Sequence, residues 1–141
     1  MPEILFAQTD AEIAACFPTF KFLRPHLIEA EFVPRVRKQQ AQGYAILYIA
    51  EQVGDVAACA GFRFIDMLYS SRQLYIDDLI TRPTSRQSGY AGQLLDWLIA
   101  HARETHCDQV HLDSGYQRND AHRLYLNKKF LLASHHFSIV L

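Results

Sequence analysis

Residues 73–81, QLYIDDLIT, are β-branched, aromatic and apolar, and Gly89 soon afterwards opens a segment in which Ala91, Leu94, Leu95, Leu98, Ile99 and Ala102 recur at helical spacing. The first run has the composition of a strand, the second the single buried stripe of an amphipathic helix. Such a stripe has to be laid on another element, and the strand beside it points to a sheet. The join between them, TRPTSRQSGYAG over residues 81–92, holds more small and polar residues than a connection requires. A turn needs one glycine and a helix start one capping side chain.

The remaining sequence fits helices packed on a mixed α/β sheet. Residues 3–8 read as a first strand. Thr9 or Asp10 caps a short helix over residues 11–16, with its end expected near Pro18. Residues 20–42 have helical composition but carry Pro25 and Pro34, which break them into pieces, and Arg24, His26, Arg35 and Arg37, which make them polar. YAILYIAE at 44–51 reads as a strand, and Gly54-Asp55 turns the chain into a second over residues 56–64. After the long helix, residues 110–113 form a short strand. Ala121, Leu124 and Tyr125 share a helix face over roughly 118–128, and residues 131–141 read as a closing strand.

Composition narrows the function. The chain has 141 residues, one domain's worth, and half of them are hydrophobic. A net charge of −1 gives no electrostatic case for nucleic acid or an anionic membrane. Cys16, Cys59 and Cys107 are odd in number and lack metal-ligand spacing, so they read as small core residues in a reducing compartment. No apolar run approaches ~20 residues and the start lacks a signal peptide's blocks, which together read as cytoplasmic. His135 and His136 are strand neighbours that point to opposite faces, so no metal is expected there.

The first turn of a helix beginning near Gly89 has about four backbone N–H groups without intrahelical partners. They carry partial positive charge and suit a phosphate. Gly89, Ala91 and Gly92 leave room against the backbone, and Arg86 adds a planar cation. The plainer alternative is an ordinary helix start capped by Ser88, with Arg86 a surface cation. No Gly-Lys-Ser/Thr follows, and no G-x-G-x-x-G opens the segment, which sets aside the nucleoside-triphosphatase and dinucleotide loops.

Arg86-x-x-Gly89-x-Ala91, after a strand and opening a helix, resembles the [Q/R]-x-x-G-x-[G/A] acetyl-CoA signature of the GNAT N-acetyltransferase superfamily. Thr81-Arg82-Pro83 resembles the family's Val-x-Pro lead-in. HLDSG at 111–115 and AHRLYLNKKF at 121–130 look like its fifth strand and following helix. The resemblance implies an α/β (α+β) fold in one domain, 1–141. Its central sheet would be mixed but mostly antiparallel, flanked by helices and splayed between the fourth and fifth strands.

It also implies an acyltransferase in which an amine of a small molecule or protein attacks acetyl-CoA directly. The main-chain amides of Arg86, Gln87, Ser88, Gly89, Tyr90, Ala91 and Gly92 would hold the diphosphate. Backbone groups of Leu79, Ile80 and Thr81 would pair with pantetheine and donate to the acetyl oxygen. Tyr125 matches the family's general acid, although its helix face alone reads as core. Asp77 and Asp78 are adjacent acids in an apolar strand, expected on opposite faces. Either could take the proton that an amine of pKa near ~10 must lose before attack, and solvent contact near a bulge is an equal alternative for each. His111 reads as a solvated or hydrogen-bonded strand histidine rather than a relay.

Two positions depart from the pattern. Where the family carries Asn, seven residues before its tyrosine, this chain has Arg118, and Asn119 follows one step later. One residue redirects a helical side chain by about 100°, so either Arg118 or Asn119 contacts the carrier. Lys129 replaces a glycine before Phe130, at a cost of order 1 kcal/mol if that helix end is left-handed. The rival reading is a non-catalytic acyl-CoA-binding module. Neither the acceptor nor the oligomeric state is legible, a homodimer being the commonest closed assembly.

Overall fold

The computed structural model describes residues 2–141. Its elements run β1 (Ile4–Phe6), α1 (Asp10–Leu23), α2 (Glu29–Gln40), β2 (Ala45–Gln52), β3 (Asp55–Met67), β4 (Ser71–Thr81), α3 (Tyr90–Glu104), β5 (Gln109–Leu112) and α4 (Asn119–Asn127). The strands form one mixed sheet in the order β1-β2-β3-β4-β5. The first four pair antiparallel along the chain. The start of β5 meets the start of β4, where the Asp108 N–H donates to the Arg72 carbonyl at 2.7 Å. Contacts divide the chain into two compact units, one ending at His111 and the other running Leu112–Leu141. No helix among the described residues is long and apolar enough to cross a membrane.

In the first unit the sheet is covered on both faces. Alternation along β2 sends Ile46 and Tyr48 to the α1/α2 side, where they join Ile13, Cys16, Phe20 and Phe32 in one core. Leu94, Leu95 and Leu98 of α3 are fully buried. Trp97 and His101 set their rings against Phe62 on the opposite face. The apolar stripe read from the sequence is thus the face that α3 buries. Cys16 and Cys59 are buried free thiols, and burial pushes the Cys59 thiol well above its ordinary value.

The two internal prolines behave differently from expectation. Thr9 does cap α1, accepting from the Glu12 N–H at 3.1 Å while its own N–H donates to the Glu12 carboxylate at 2.8 Å. The helix then continues through Pro18 to Leu23 instead of ending there. Interior proline costs roughly 3 kcal/mol, but stopping would forfeit the contacts just beyond it. Phe20 is buried, and the buried Thr19 hydroxyl donates to the Val56 carbonyl at 2.7 Å. Pro34 likewise sits inside α2, where Phe32 and Val36 are buried on either side. Only Pro25 falls in a break, between α1 and α2.

In the second unit, α4 ends in a left-handed residue. Lys129 has φ 73°, its N–H donates to the Leu126 carbonyl, and the Phe130 N–H donates to the Tyr125 carbonyl at 3.0 Å. The Phe130 ring packs edge-on against Tyr125 at 6.1 Å. This is a Schellman end with its usual apolar contact, formed despite the lysine. The closing strand expected over residues 131–141 is absent: all eleven residues are exposed and without regular secondary structure. The apolar composition there supplies propensity, but a strand exists only through a ladder, and no neighbouring strand pairs with this segment.

Lys129→Gly removes the Cβ penalty of a left-handed residue and should stabilise the protein by about 1 kcal/mol, measured as a higher urea midpoint at unchanged slope. A destabilised variant would mean that the lysine side chain makes a compensating contact.

Candidate active site

The site is built on β4. Its register with β3 pairs Gly61 with Asp78 but Phe62 with Ile76, so Asp77 is an extra residue, a bulge. Ile76 lies with Phe62 on the α3 face, and Asp78 lies across from Gly61 on the α1/α2 face. The inserted Asp77 also points to the α1/α2 side, where its carboxylate meets Arg63. The expectation that the two acids occupy opposite faces is therefore corrected, because strict alternation fails at a bulge.

The acids enter one polar network. Arg63 grips Asp77 with Nε and NH2 donating at 2.8 to 3.1 Å. The Arg63 guanidinium also lies over the Tyr44 ring, 5.3 Å from its centroid. The Tyr44 hydroxyl donates to Asp78 Oδ2 at 2.6 Å. Arg24, at the end of α1, donates from Nε to Asp78 Oδ1 at 3.1 Å and from NH2 to the Asp77 carbonyl at 3.0 Å. Burial raises the Asp77 carboxyl above its ordinary value, with Arg63 opposing. Burial and the neighbouring Asp78 charge push the Tyr44 phenol well above 10.

Gly61 makes the network possible. A Cβ there would overlap the Tyr44 hydroxyl and the ring carbon that bears it. Beside the network opens a cavity of about 260 Å³ lined by Phe20, Arg24, His26, Leu27, Phe32, Arg35, Val36, Gln39, Tyr44 and Asp78. Of the four basic residues noted in the helical region, Arg24, His26 and Arg35 thus share one cavity. Arg37 does not: it pairs with Asp10 at 2.7 Å and donates to the Gln8 carbonyl, tying α2 to the start of α1.

Beyond the acids, β4 continues to Thr81 and the join. Leu79 and Ile80 are buried, paired in register with Ala60 and Cys59. Thr81 pairs with Ala58, and its hydroxyl is buried without a hydrogen-bond partner. A 3-10 turn over Pro83–Ser85 follows. Arg82 anchors it: Nε donates to the Ser85 hydroxyl at 2.8 Å, NH2 to Glu51 at 2.9 Å, and NH1 pairs with Asp55. Ser85 and Tyr90 also donate to Glu51, at 2.7 and 3.3 Å. The Ser85 hydrogen bond holds the Glu51 carboxyl below its ordinary value, and the Arg82 hydrogen bond does the same for Asp55. The loop is thus fastened at its root to the β2–β3 hairpin, while Arg86, Gln87, Ser88 and Gly89 are exposed.

Gln87 and Gly89 have φ 65° and 79°, two left-handed residues that bring the chain sharply into α3. Gly89, not Ser88, is the N-cap, and no side chain caps the helix. No acid occupies the first turn, which begins Tyr90, Ala91, Gly92. A Cβ at Gly89 would meet nothing within 4 Å, so the space beside it is open. Arg86 is exposed and makes no ion pair among the described residues. Uncapped N–H groups, open space and an uncommitted guanidinium fit an extended phosphorylated ligand.

The second unit carries the remaining sequence-derived residues. Tyr125 is buried on α4, with its phenol raised by burial against an opposing Arg118, and its hydroxyl makes no hydrogen bond among the described residues. Arg118 is the N-cap of α4 and Asn119 its exposed first residue. Asp113 lies just beyond β5, within 3.5 Å of His136 Nδ1, and the His135 ring nitrogen lies 2.9 Å from the Tyr116 hydroxyl. In the first unit His111 is hydrogen-bonded through both ring nitrogens, to Tyr69 and Gln109.

Tyr44, Arg63 and Arg82 were not singled out from sequence. The available signal was Gly61, a lone glycine inside an apolar strand, which marks a bulge or a close approach.

Residues 8–130 match the acetyltransferase (GNAT) family. A curated relative, described as the uncharacterized N-acetyltransferase YhdJ of Bacillus subtilis, is 31% identical over 118 residues, 83% of this chain and 82% of its own. Among solved structures, a transcriptional regulator from Bacillus halodurans superposes over the whole of both chains with a TM-score of 0.88 at 17% identity. Aminoglycoside N-acetyltransferase AAC(6')-Iy in complex with CoA superposes over 100% of this chain and 96% of its own, with a TM-score of 0.82 at 14% identity. The chain belongs to the GNAT acetyltransferase family.

Gly61→Ala should expel the Tyr44 hydroxyl from Asp78 and cost 1–3 kcal/mol or so as an overpacking substitution. Tyr44→Phe, which removes only the hydroxyl, should restore packing in the double variant incompletely. A thermal melt of Gly61→Ala equal to the parent's would contradict the close approach.

Proposed function

We propose that this protein is an acetyl-CoA-dependent N-acetyltransferase in which residues 1–141 act as one catalytic domain. It moves an acetyl group to a primary amine of a small molecule or protein by direct attack, both partners being bound together. The supporting observation is the continuity of β4. One strand carries an acid into the lining of a cavity, then runs directly into a loop whose helix start has no side-chain cap.

Acetyl-CoA supplies the activated acetyl thioester. On this reading the amides of Arg86, Gln87, Ser88, Gly89, Tyr90, Ala91 and Gly92 hold its diphosphate, with the Arg86 guanidinium beside them. Main-chain groups of Leu79, Ile80 and Thr81 align the pantetheine arm and donate to the acetyl oxygen. Asn119 offers an amide to the same arm. The acceptor ammonium loses a proton to Asp77 or Asp78, directly or through water, and its freed lone pair forms the new C–N bond. As the C–S bond breaks, the Tyr125 hydroxyl gives its proton to the departing sulfur, and the phenolate regains one, directly or through water, from the acylated nitrogen, which leaves a neutral amide. Two features suit Asp77 to base work: burial raises its affinity for a proton, and Arg63 fixes its orientation.

A second reading, a non-catalytic acyl-CoA-binding module, draws support from Asp78, whose two oxygens are engaged by Arg24 and Tyr44. Thiol release from acetyl-CoA across a panel of amines separates the two. Tyr125→Phe should lower kcat by about 100-fold, within the range of general acid catalysis, with acetyl-CoA affinity nearly unchanged. An unaltered kcat removes Tyr125 from the chemistry, and no turnover with any amine favours the binding module.

The pH dependence has a definite sign. A base acts only when deprotonated, so kcat/KM falls as pH drops through its pKa. Because burial raises Asp77, the acid limb should lie above the ordinary aspartate value of about 3.9 and vanish in Asp77→Asn. A limb that survives in that variant assigns the base elsewhere.

A further inference from the structure

The cavity beside Asp78 carries charge that the transfer reaction itself does not require. β4 contributes a carboxylate, Asp78, and the residue just before β2 a phenol, Tyr44, while the helical cover contributes Arg24, His26 and Arg35. Arg24 is committed, since its guanidinium bonds both the Asp78 carboxylate and the Asp77 carbonyl. His26 and Arg35 are not: neither makes a hydrogen bond or ion pair among the described residues. The rest of the lining is mainly apolar, with Phe20, Leu27, Phe32 and Val36 buried. His26 and Arg35 are both exposed, and an uncommitted guanidinium at the rim of an apolar pocket attracts anions.

We propose that the acceptor is a small zwitterion, an amine that also bears a carboxylate, with its amine toward Asp78 and its carboxylate on Arg35 and His26. This inference rests on the acetyltransferase reading of the same site and specifies its substrate class. Four points support it together. The cavity, at about 260 Å³, is a little smaller than the roughly 300 Å³ at which small-molecule sites begin, which suits a compact acceptor. Its carboxylate and its free cations come from different elements, β4 on one side and α2 with the preceding turn on the other, which suits a ligand carrying both signs. A purely cationic amine, such as a diamine, would place its second charge against Arg35, with no acid among the lining residues other than the Asp78 that its first amine already faces. Arg35 is a guanidinium, whose planar fork matches a carboxylate with two parallel hydrogen bonds.

The test compares matched pairs that differ only in the second charge. Amino carboxylates from glycine to 5-aminopentanoate, with glutamate, are set against their amides and against the simple alkylamines. Two readouts are taken with the full chain: calorimetric binding of each compound, and thiol release from acetyl-CoA. The best amino carboxylate should exceed its amide by about ten- to a hundredfold in affinity or kcat/KM, the range for one charged hydrogen-bonded contact. Arg35→Gln should bring that ratio toward one, Arg35→Lys should restore part of it, and Arg103→Gln, an exposed change on α3, should leave it alone. Equal handling of carboxylate and amide, a ratio indifferent to Arg35→Gln, or no binding by any amino carboxylate would overturn the inference. If amines are acetylated without that preference, the acetyltransferase reading survives and the zwitterion does not. If amino carboxylates bind with the Arg35-dependent preference but no thiol is ever released, the ligand class stands and the transfer reaction falls.

Discussion

The arrangement depends on the bare start of α3. A helix leaves its first N–H groups unsatisfied, and proteins ordinarily answer this with a Ser, Thr, Asp or Asn cap. Here the N-cap is Gly89 in a left-handed conformation, with no side-chain acceptor and no acid in the first turn. α1, in the same chain, shows the ordinary solution, a reciprocal Thr9–Glu12 capping box. α2 and α4 also start without a side-chain cap, but each carries acid in its first turn, Glu29 and Glu31 in α2 and Asp120 in α4; among the described α-helices, the one at the end of β4 alone has neither. This also explains why the loop root is so heavily fastened: Arg82 and Ser85 bind Glu51, with Asp55 completing the cluster, and together they hold an otherwise exposed turn against the β2–β3 hairpin.

The second determinant is one inserted residue. Without the bulge, Asp77 and Asp78 would project from opposite faces, and only one could meet the α1/α2 side. With it, both belong to the Arg24–Tyr44–Arg63 network beside the cavity. Gly61, across the bulge, leaves the volume that the Tyr44 phenol fills. Sequence, strand irregularity, polar network and cavity therefore form one chain of causes.

Much of this was legible in the sequence, for identifiable reasons. Strand propensity and the helical stripe of α3 are local signals, and both are realised where the core needs them. The Arg86-x-x-Gly89-x-Ala91 pattern pointed to the family that the comparisons establish. What local signals misjudged was set by tertiary contact. Pro18 and Pro34 look like breaks, yet buried neighbours on either side keep α1 and α2 intact. Lys129 takes a glycine's conformation because the helix end and the Tyr125–Phe130 contact determine it. Residues 131–141 have the composition of a strand but no partner to pair with. Tyr44, Arg63 and Arg82 act through partners remote in sequence, which no single-residue reading reveals.

Whether the open start of α3 receives the diphosphate of acetyl-CoA is decided by calorimetric titration. Acetyl-CoA should bind the parent protein, while S-acetylpantetheine, which has the thioester arm but no diphosphate, should bind about a hundredfold more weakly or worse, as expected when several charge-assisted hydrogen bonds are lost. Gly89→Val, which strains the left-handed N-cap and fills the open space beside it, should reduce the difference between the two ligands. Equal affinity for both, or a difference untouched by Gly89→Val, would contradict that placement.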